Sequence, residues 1–200
     1  MYEVEATADV LMMVRESQHE AARSENFDAP AFALVREVLK GDRDAFGKLY
    51  SLYAPMVHGI LLSRVPATEV DDLVQEVFLQ ALKKLGSLRD ANAFGGWLAM
   101  ITRNRAMDFH RRQRPSEELT EDLGASTRED ERKSQAVEAL KIIRSLPEAY
   151  RETLVLRLVE GMTGPEIAAR TGLTPDSVRV NLSRGMKMLR ERLGKEEQGR

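Results

Sequence analysis

Cysteine is absent, which excludes disulfides and thiol-ligated zinc or iron–sulfur sites and fits a reducing compartment. Histidine is scarce, and His19, His58 and His110 lie far apart with no metal-ligand spacing, so neither a metal nor another cofactor is expected. No apolar run approaches the length of a membrane span. The first residues, with Glu3, Glu5 and Asp9, lack the basic start of a signal peptide, so the expectation is a cytoplasmic chain with no membrane insertion. An excess of one charge is also missing: the formal net charge is -2, and that near-neutral total conceals a strong local asymmetry. What is present is 42% hydrophobic and 31% charged residues over 200 positions, a soluble composition that allows one large domain or two small ones. Such a balance suits nucleic-acid binding that is local, regulated or assisted by a larger complex.

The asymmetry centres on Ala93 to Arg114, which reads as one helix. Phe94, Trp97, Leu98, Ile101 and Met107 are spaced to bury a single stripe. Off that stripe lie Arg103, Asn104, Arg105, His110, Arg111, Arg112 and Arg114, with Asp108 the one acid. A guanidinium-rich face backed by a buried stripe suits a polyanion, because each arginine can make two hydrogen bonds to phosphate. The acids missing here crowd into the next segment.

Residues 1–30 read as an acidic, partly flexible extension. A helix is expected from Ala31 to Lys40, stopped by Gly41, and Asp42 then caps a second helix whose Ala45, Phe46, Leu49, Tyr50 and Tyr53 are taken as core. Pro55 is expected to kink or divide that helix. The next helix carries a regular stripe, Val70, Leu73, Val74, Val77, Phe78, Ala81, Leu82 and Leu85, ended by Gly86. Its other face holds Asp71, Asp72, Gln75, Glu76 and Gln80 with the apolar Leu79 among them. That mixture suits docking onto a basic helical partner, although acids near a helix start are also favoured by the macrodipole. The loop Ser87 to Asn92 leads into the basic helix. Residues 115–133 read as an acidic linker, since the charges and Gly124, Ser126 and Thr127 break any apolar period.

Helix resumes at Ser134 with Ala136, Val137, Leu140 and Ile143 as its stripe. Pro147 opens a further helix carrying Tyr150, Leu154, Val155, Leu158 and Val159 and ending at Gly161. Thr163-Gly-Pro-Glu166 is a capping box, followed by a short helix that ends at Gly172. Leu173 is a buried spacer, Thr174 caps the last helix and Pro175 starts it, and Val178, Leu182, Met186, Leu189 and Leu193 face inward. Short helix, glycine turn and longer helix make a helix-turn-helix, whose second helix presents its N-terminal residues to base edges in the major groove. The outward set includes Asp176, Ser177, Arg179, Val180, Asn181, Ser183 and Arg184. Arg179 matches a guanine edge and Asn181 an adenine edge, while Arg184 and Lys187 are placed for phosphate.

Taken together the two halves resemble the bacterial extracytoplasmic-function (group four) sigma factors, the small alternative initiation subunits of RNA polymerase. The resemblance rests on Ala45-Phe-Gly-Lys-Leu-Tyr50 with Tyr53, Asp71-Asp-Leu-Val-Gln-Glu-Val-Phe78, Phe94, Trp97-Leu98, Ile101, Asn104, Asp108 and Arg111-Arg112. In the second half it rests on Leu146-Pro147, Tyr150-Arg151, Glu166-Ile-Ala168 and Thr174 to Arg184, continuing to Leu189. It implies an all-α fold: two small helical domains, 31–114 and 134–193, joined by the linker, the second a helix-turn-helix, with 194–200 a polar tail. It implies that Asp71, Asp72, Gln75, Glu76 and Leu79 dock on the clamp helices of the polymerase's largest subunit, with its flap a further contact. Leu88, Arg89, Asn92, Trp97 and Asn104 would melt the minus-ten element and capture a base, and Arg103, Arg105, Arg111 and Arg112 would hold phosphates. Thr174, Ser177, Arg179, Val180, Asn181, Ser183, Arg184 and Lys187 would read the minus-thirty-five element as duplex. An anti-sigma partner is implied as well. Gly164-Pro165 and Val180-Asn181 depart from the family's usual pattern.

The chain is therefore expected to have no catalytic activity. The rival within the same broad class is a stand-alone helix-turn-helix regulator binding duplex DNA as a dimer. A nuclease using Asp71, Asp72 and Glu76 as metal ligands is disfavoured because all three lie on one helix, whereas phosphate chemistry usually needs carboxylates converging from several elements. A purely protein-binding adaptor leaves the arginine face and the capped helix-turn-helix without purpose.

Overall fold

The computed structural model describes residues 31–112 and 128–197. The expected N-terminal extension, most of the expected linker and the end of the tail lie outside the described residues. Every regular element among the described residues is helical.

α1 (Ala31–Leu39) buries Leu34, Val35 and Val38, and Gly41 at φ 97° makes the left-handed turn that an L side chain would resist. Asp42 caps α2 (Arg43–Leu62), its Oδ1 accepting from the amides of Asp44 at 2.8 Å and Ala45 at 3.1 Å. α2 passes through Pro55 undivided. Tyr53 before the proline and Met56, Val57, Ile60 and Leu61 after it all sit in the core, so packing on both sides holds one helix where local preference would break it.

α3 (Val70–Lys84) buries its expected stripe except Leu82, which is exposed, and a turn of 3-10 helix at Leu85–Ser87 carries the chain past Gly86. The expected loop holds a second such turn, Ala91–Ala93, capped by Asp90. α4 (Phe94–Arg112) buries Phe94, Leu98 and Ile101 as expected, with Trp97 half-buried. Met107 is not part of that stripe: it is 66% exposed, and Ala106 and Phe109 fill the core instead. Met107 lies thirteen positions after Phe94, which at about 100° per residue puts it about 140° around the helix from the face that Phe94 defines.

α5 (Arg128–Arg144) begins inside the segment expected to be linker. Glu, Arg and Lys are good helix formers, and low apolar content removes a packing face without removing helicity. Its inward residues are Ala139, Ile142 and Ile143, with Ala136, Val137 and Leu140 only half-buried. α6 (Glu148–Leu158), α7 (Gly164–Thr171) and α8 (Pro175–Glu197) complete the chain, so helix also runs into the expected tail. The capping box at Thr163 and Glu166 is present, and Gly172 takes φ 76°, as expected of the turn between the helices.

The two helical units share a core. α6 packs against α2, and α7 packs against α4. The sequence stripe on α6 accounts for one side of it only, since Glu152, Thr153 and Leu156 are buried as well as Leu154 and Val155. A helix buried on both faces has a second neighbour, and here that neighbour is the first unit.

Candidate nucleic-acid interface

α8 carries the first candidate surface. Thr174 accepts from the amide of Ser177 at 3.2 Å, which starts α8 with its N-terminal turn projecting outward. Thr174, Ser177, Arg179, Val180, Ser183, Arg184 and Lys187 are exposed, and Asn181 is half-buried beside them. Val180 stands out as an apolar residue on this polar surface, 38% exposed. Arg179 is paired loosely with Asp176 at 3.1 Å on the same exposed turn, so it can exchange that partner for a base edge or a phosphate.

The turn at Ala91–Ala93 and α4 carry the second. Arg89 and Asn92 are exposed, with Asn92 held by a 2.9 Å hydrogen bond from its Nδ2 to Asp90. Leu88 is half-buried, and Trp97 lies against Phe94 with ring centroids 5.8 Å apart. Asn104, Arg111 and Arg112 face solvent, Arg111 bonding Asp108 at 2.8 Å. Arg105 turns away from them to pair with Glu76 of α3. α3 carries the third surface, where Asp71, Asp72, Gln75 and Glu76 are exposed around Leu79, itself 58% exposed.

Arg103 belongs to the second surface by sequence, but the structure gives it another partner. Its Nε and Nη2 donate to the two carboxylate oxygens of Glu152 on α6, at 3.1 and 2.7 Å. Arg64 approaches the same carboxylate at 2.7 Å and reaches Glu148 at 2.8 Å. Burial alone would raise the Glu152 pKa, but the Arg103 hydrogen bonds and the charges of Arg64 and Arg103 outweigh it and hold the carboxyl below its usual range. Nearby, His58 Nδ1 lies 2.6 Å from Glu160 Oε1. Burial would lower the imidazole pKa, yet the hydrogen bond and charge of Glu160, with Asp71, raise it. Arg144 of α5 donates to the carbonyls of Leu62 and Val65 at 2.9 and 2.8 Å. Sequence reasoning missed all these contacts. The available signal was Glu152 directly before the run Thr153-Leu-Val-Leu156, an acid where only buried residues would follow.

Comparison with known proteins gives the family. The family described as Sigma-70 region 2 matches residues 49–116, and Sigma-70 region 4 matches residues 136–189. The RNA polymerase sigma factor CarQ of Myxococcus xanthus is 34% identical over 163 residues, 78% of this chain and 94% of CarQ. The chain belongs to the extracytoplasmic-function sigma factors. It is an alternative sigma factor that directs transcription initiation. The ECF RNA polymerase sigma-E factor of Haemophilus influenzae is 30% identical over 80% of this chain and 94% of its own. Escherichia coli K12 sigma-E is 32% identical over 78% and 90% respectively. Among solved structures, that of CnrH in complex with the cytosolic domain of CnrY superposes with a TM-score of 0.58 at 26% identity, covering 82% of this sigma factor and 97% of that chain. Among the described residues no cluster of His, Asp and Glu is arranged to hold a metal, and no helix is long and apolar enough to cross a membrane.

Proposed function

We propose that this sigma factor, a cytoplasmic member of group four without catalytic activity, divides its work among the three surfaces. The unit 31–114 binds core polymerase and opens the minus-ten element, and the unit 134–193 reads the minus-thirty-five element. Asp71, Asp72, Gln75, Glu76 and Leu79 dock on the clamp helices of the largest subunit, where acids meet a basic helix around one apolar contact. Leu88, Arg89, Asn92, Trp97 and Asn104 engage the melted strand, with Arg111 and Arg112 on its phosphates and Arg103 and Arg105 joining them once they leave Glu152 and Glu76. On α8, Arg179, Val180 and Asn181 face base edges, Thr174, Ser177 and Ser183 lie beside them, and Arg184 and Lys187 serve the backbone. The polymerase flap supports the helix-turn-helix.

One observation carries this division: a capped helix-turn-helix with an open reading face coexists with a separate basic helix that exposes Asn104 along its length and Arg111 and Arg112 at its end. A stand-alone duplex regulator has no use for the second. CnrH forms a complex with the cytosolic domain of CnrY, which supports an anti-sigma partner for this chain as well. The test is to mix the purified chain with sigma-free core polymerase and sequence the transcripts made from its own genome's DNA. Defined starts sharing a bipartite promoter are expected. Absence of initiation with a competent core, together with strong duplex protection by the chain alone, would replace this reading with the regulator.

A further inference from the structure

We infer that Val180 selects thymine at one position of the minus-thirty-five element, by packing its branched side chain against the C5-methyl group of that base. This rests on the assignment of α8 to the minus-thirty-five element.

Val180 occupies the point of α8 farthest from the core. At about 100° per residue, the buried Leu189, nine positions on, lies about 180° around the helix from it. Val178 and Leu182, two positions to either side and both packed inward, lie about 160° away. The residues one turn from Val180 are Asp176, Ser177, Ser183 and Arg184, all exposed and all polar. A β-branched side chain at such a place gains nothing from packing within the chain, and valine is a poorer helix former than alanine, lysine or glutamate. Neither the core nor helix propensity accounts for the residue.

The surface it points to does account for it. α8 starts at Pro175, so Val180 falls in the N-terminal turns that a helix-turn-helix presents to the major groove. Base edges in that groove offer hydrogen-bond donors and acceptors with a single apolar exception, the thymine methyl. Against that methyl, the valine methyls remove water from apolar surface on both partners. Against a purine the same side chain would cover the N7 acceptor, and against cytosine the N4 amino group, with no hydrogen bond to return. Val180 therefore favours thymine and penalises the other three bases at one position. Arg179, about 100° around the helix from it, and Ser183 and Arg184, a turn further on, leave the polar contacts to other positions.

Replacing thymine by uracil removes that methyl and leaves every hydrogen-bonding group of the base in place. The full chain is assembled with sigma-free core polymerase, and a promoter is taken from the transcripts that the complex makes. Each thymine of its minus-thirty-five segment, on either strand, is then replaced in turn by uracil, and binding is measured at fixed salt. At one thymine the parent complex should lose about fourfold in affinity, the worth of one buried methyl. With Val180→Ala the thymine duplex should bind about fourfold more weakly than with the parent, and uracil at that position should change binding by less than about 1.5-fold. The remaining thymines should behave alike in both complexes. Each protein is compared with itself on two duplexes, so a loss of active protein cancels, and Val180→Ala has no core contact to lose. A minus-thirty-five segment without thymine would overturn the inference, as would uracil effects that match in parent and variant at every thymine. Failure of the parent complex to give defined starts would instead refute the promoter-reading role of α8, and this contact with it. Defined starts with uracil tolerated throughout would remove the contact alone.

Discussion

Leu156 offers the sharpest test of whether the two units are packed together in solution. Its side chain is fully buried, on the side of α6 that faces α2, and a Cβ built on Gly59 would stand 2.7 Å from its Cδ2. If the units were independent bodies on a tether, Leu156 would lie on an open surface, and Leu156→Ala would change stability by no more than about 0.5 kcal/mol. In the packed molecule the substitution opens a cavity between α6 and α2 and should cost about 2–5 kcal/mol. For a chain of this size that lowers the melting temperature by roughly 4–20 °C. Gly59→Ala should also destabilise, because its methyl would meet both Leu156 and Cγ of Glu160 at 2.8 Å. Combined with Leu156→Ala, the new methyl loses its clash with Leu156 and keeps only the one with the Glu160 side chain, so the double variant should recover about 0.5–1 kcal/mol relative to the sum of the singles. Urea denaturation followed by circular dichroism, with slopes compared across the four proteins, measures the cycle. A small cost for Leu156→Ala with no coupling would refute the shared core.

Further outcomes follow from the same geometry. Because His58 has a raised pKa, its contribution to stability is fully present below about 6.5 and is lost as pH rises through the raised value. Stability should therefore fall over the neutral-to-alkaline range, and His58→Gln should flatten that slope in denaturation curves taken at several pH values. Glu152 has the opposite sign: its depressed pKa makes its contribution present above the ordinary carboxylate value and lost as pH falls through the lower one. Thr163→Ala removes the cap that accepts the Glu166 amide and should cost about 1 kcal/mol, read as a lower melting temperature. In promoter binding by the polymerase complex, Arg179→Ala should cost about 1–3 kcal/mol and relax preference at one position, whereas Lys187→Ala should weaken all sequences alike and reduce the salt slope by about 1. Equal effects of the two substitutions across sequences would contradict their assignment.

Most helices and the reading motif were legible in the residues because they depend on neighbours in the chain. Asp42, Thr163 with Glu166, Gly172 and Thr174 act on backbone within a few positions, so caps and turns stood where expected. The stripe of α3 and the exposed Leu79 followed from a 3.6-residue period. Tertiary structure alone decided what crosses between distant segments. It kept α2 whole through Pro55, since buried residues on both sides outweigh one missing hydrogen bond. It turned Arg105 onto Glu76 and Arg103 onto Glu152, both of which a one-helix reading places simply off the buried stripe. It also buried α6 on two faces, joining units that composition had separated. Helical periodicity records that a residue faces inward, but the identity of what it meets is a property of the packed chain: Glu152 is an ordinary acid until Arg64 and Arg103 arrive from residues far away in sequence.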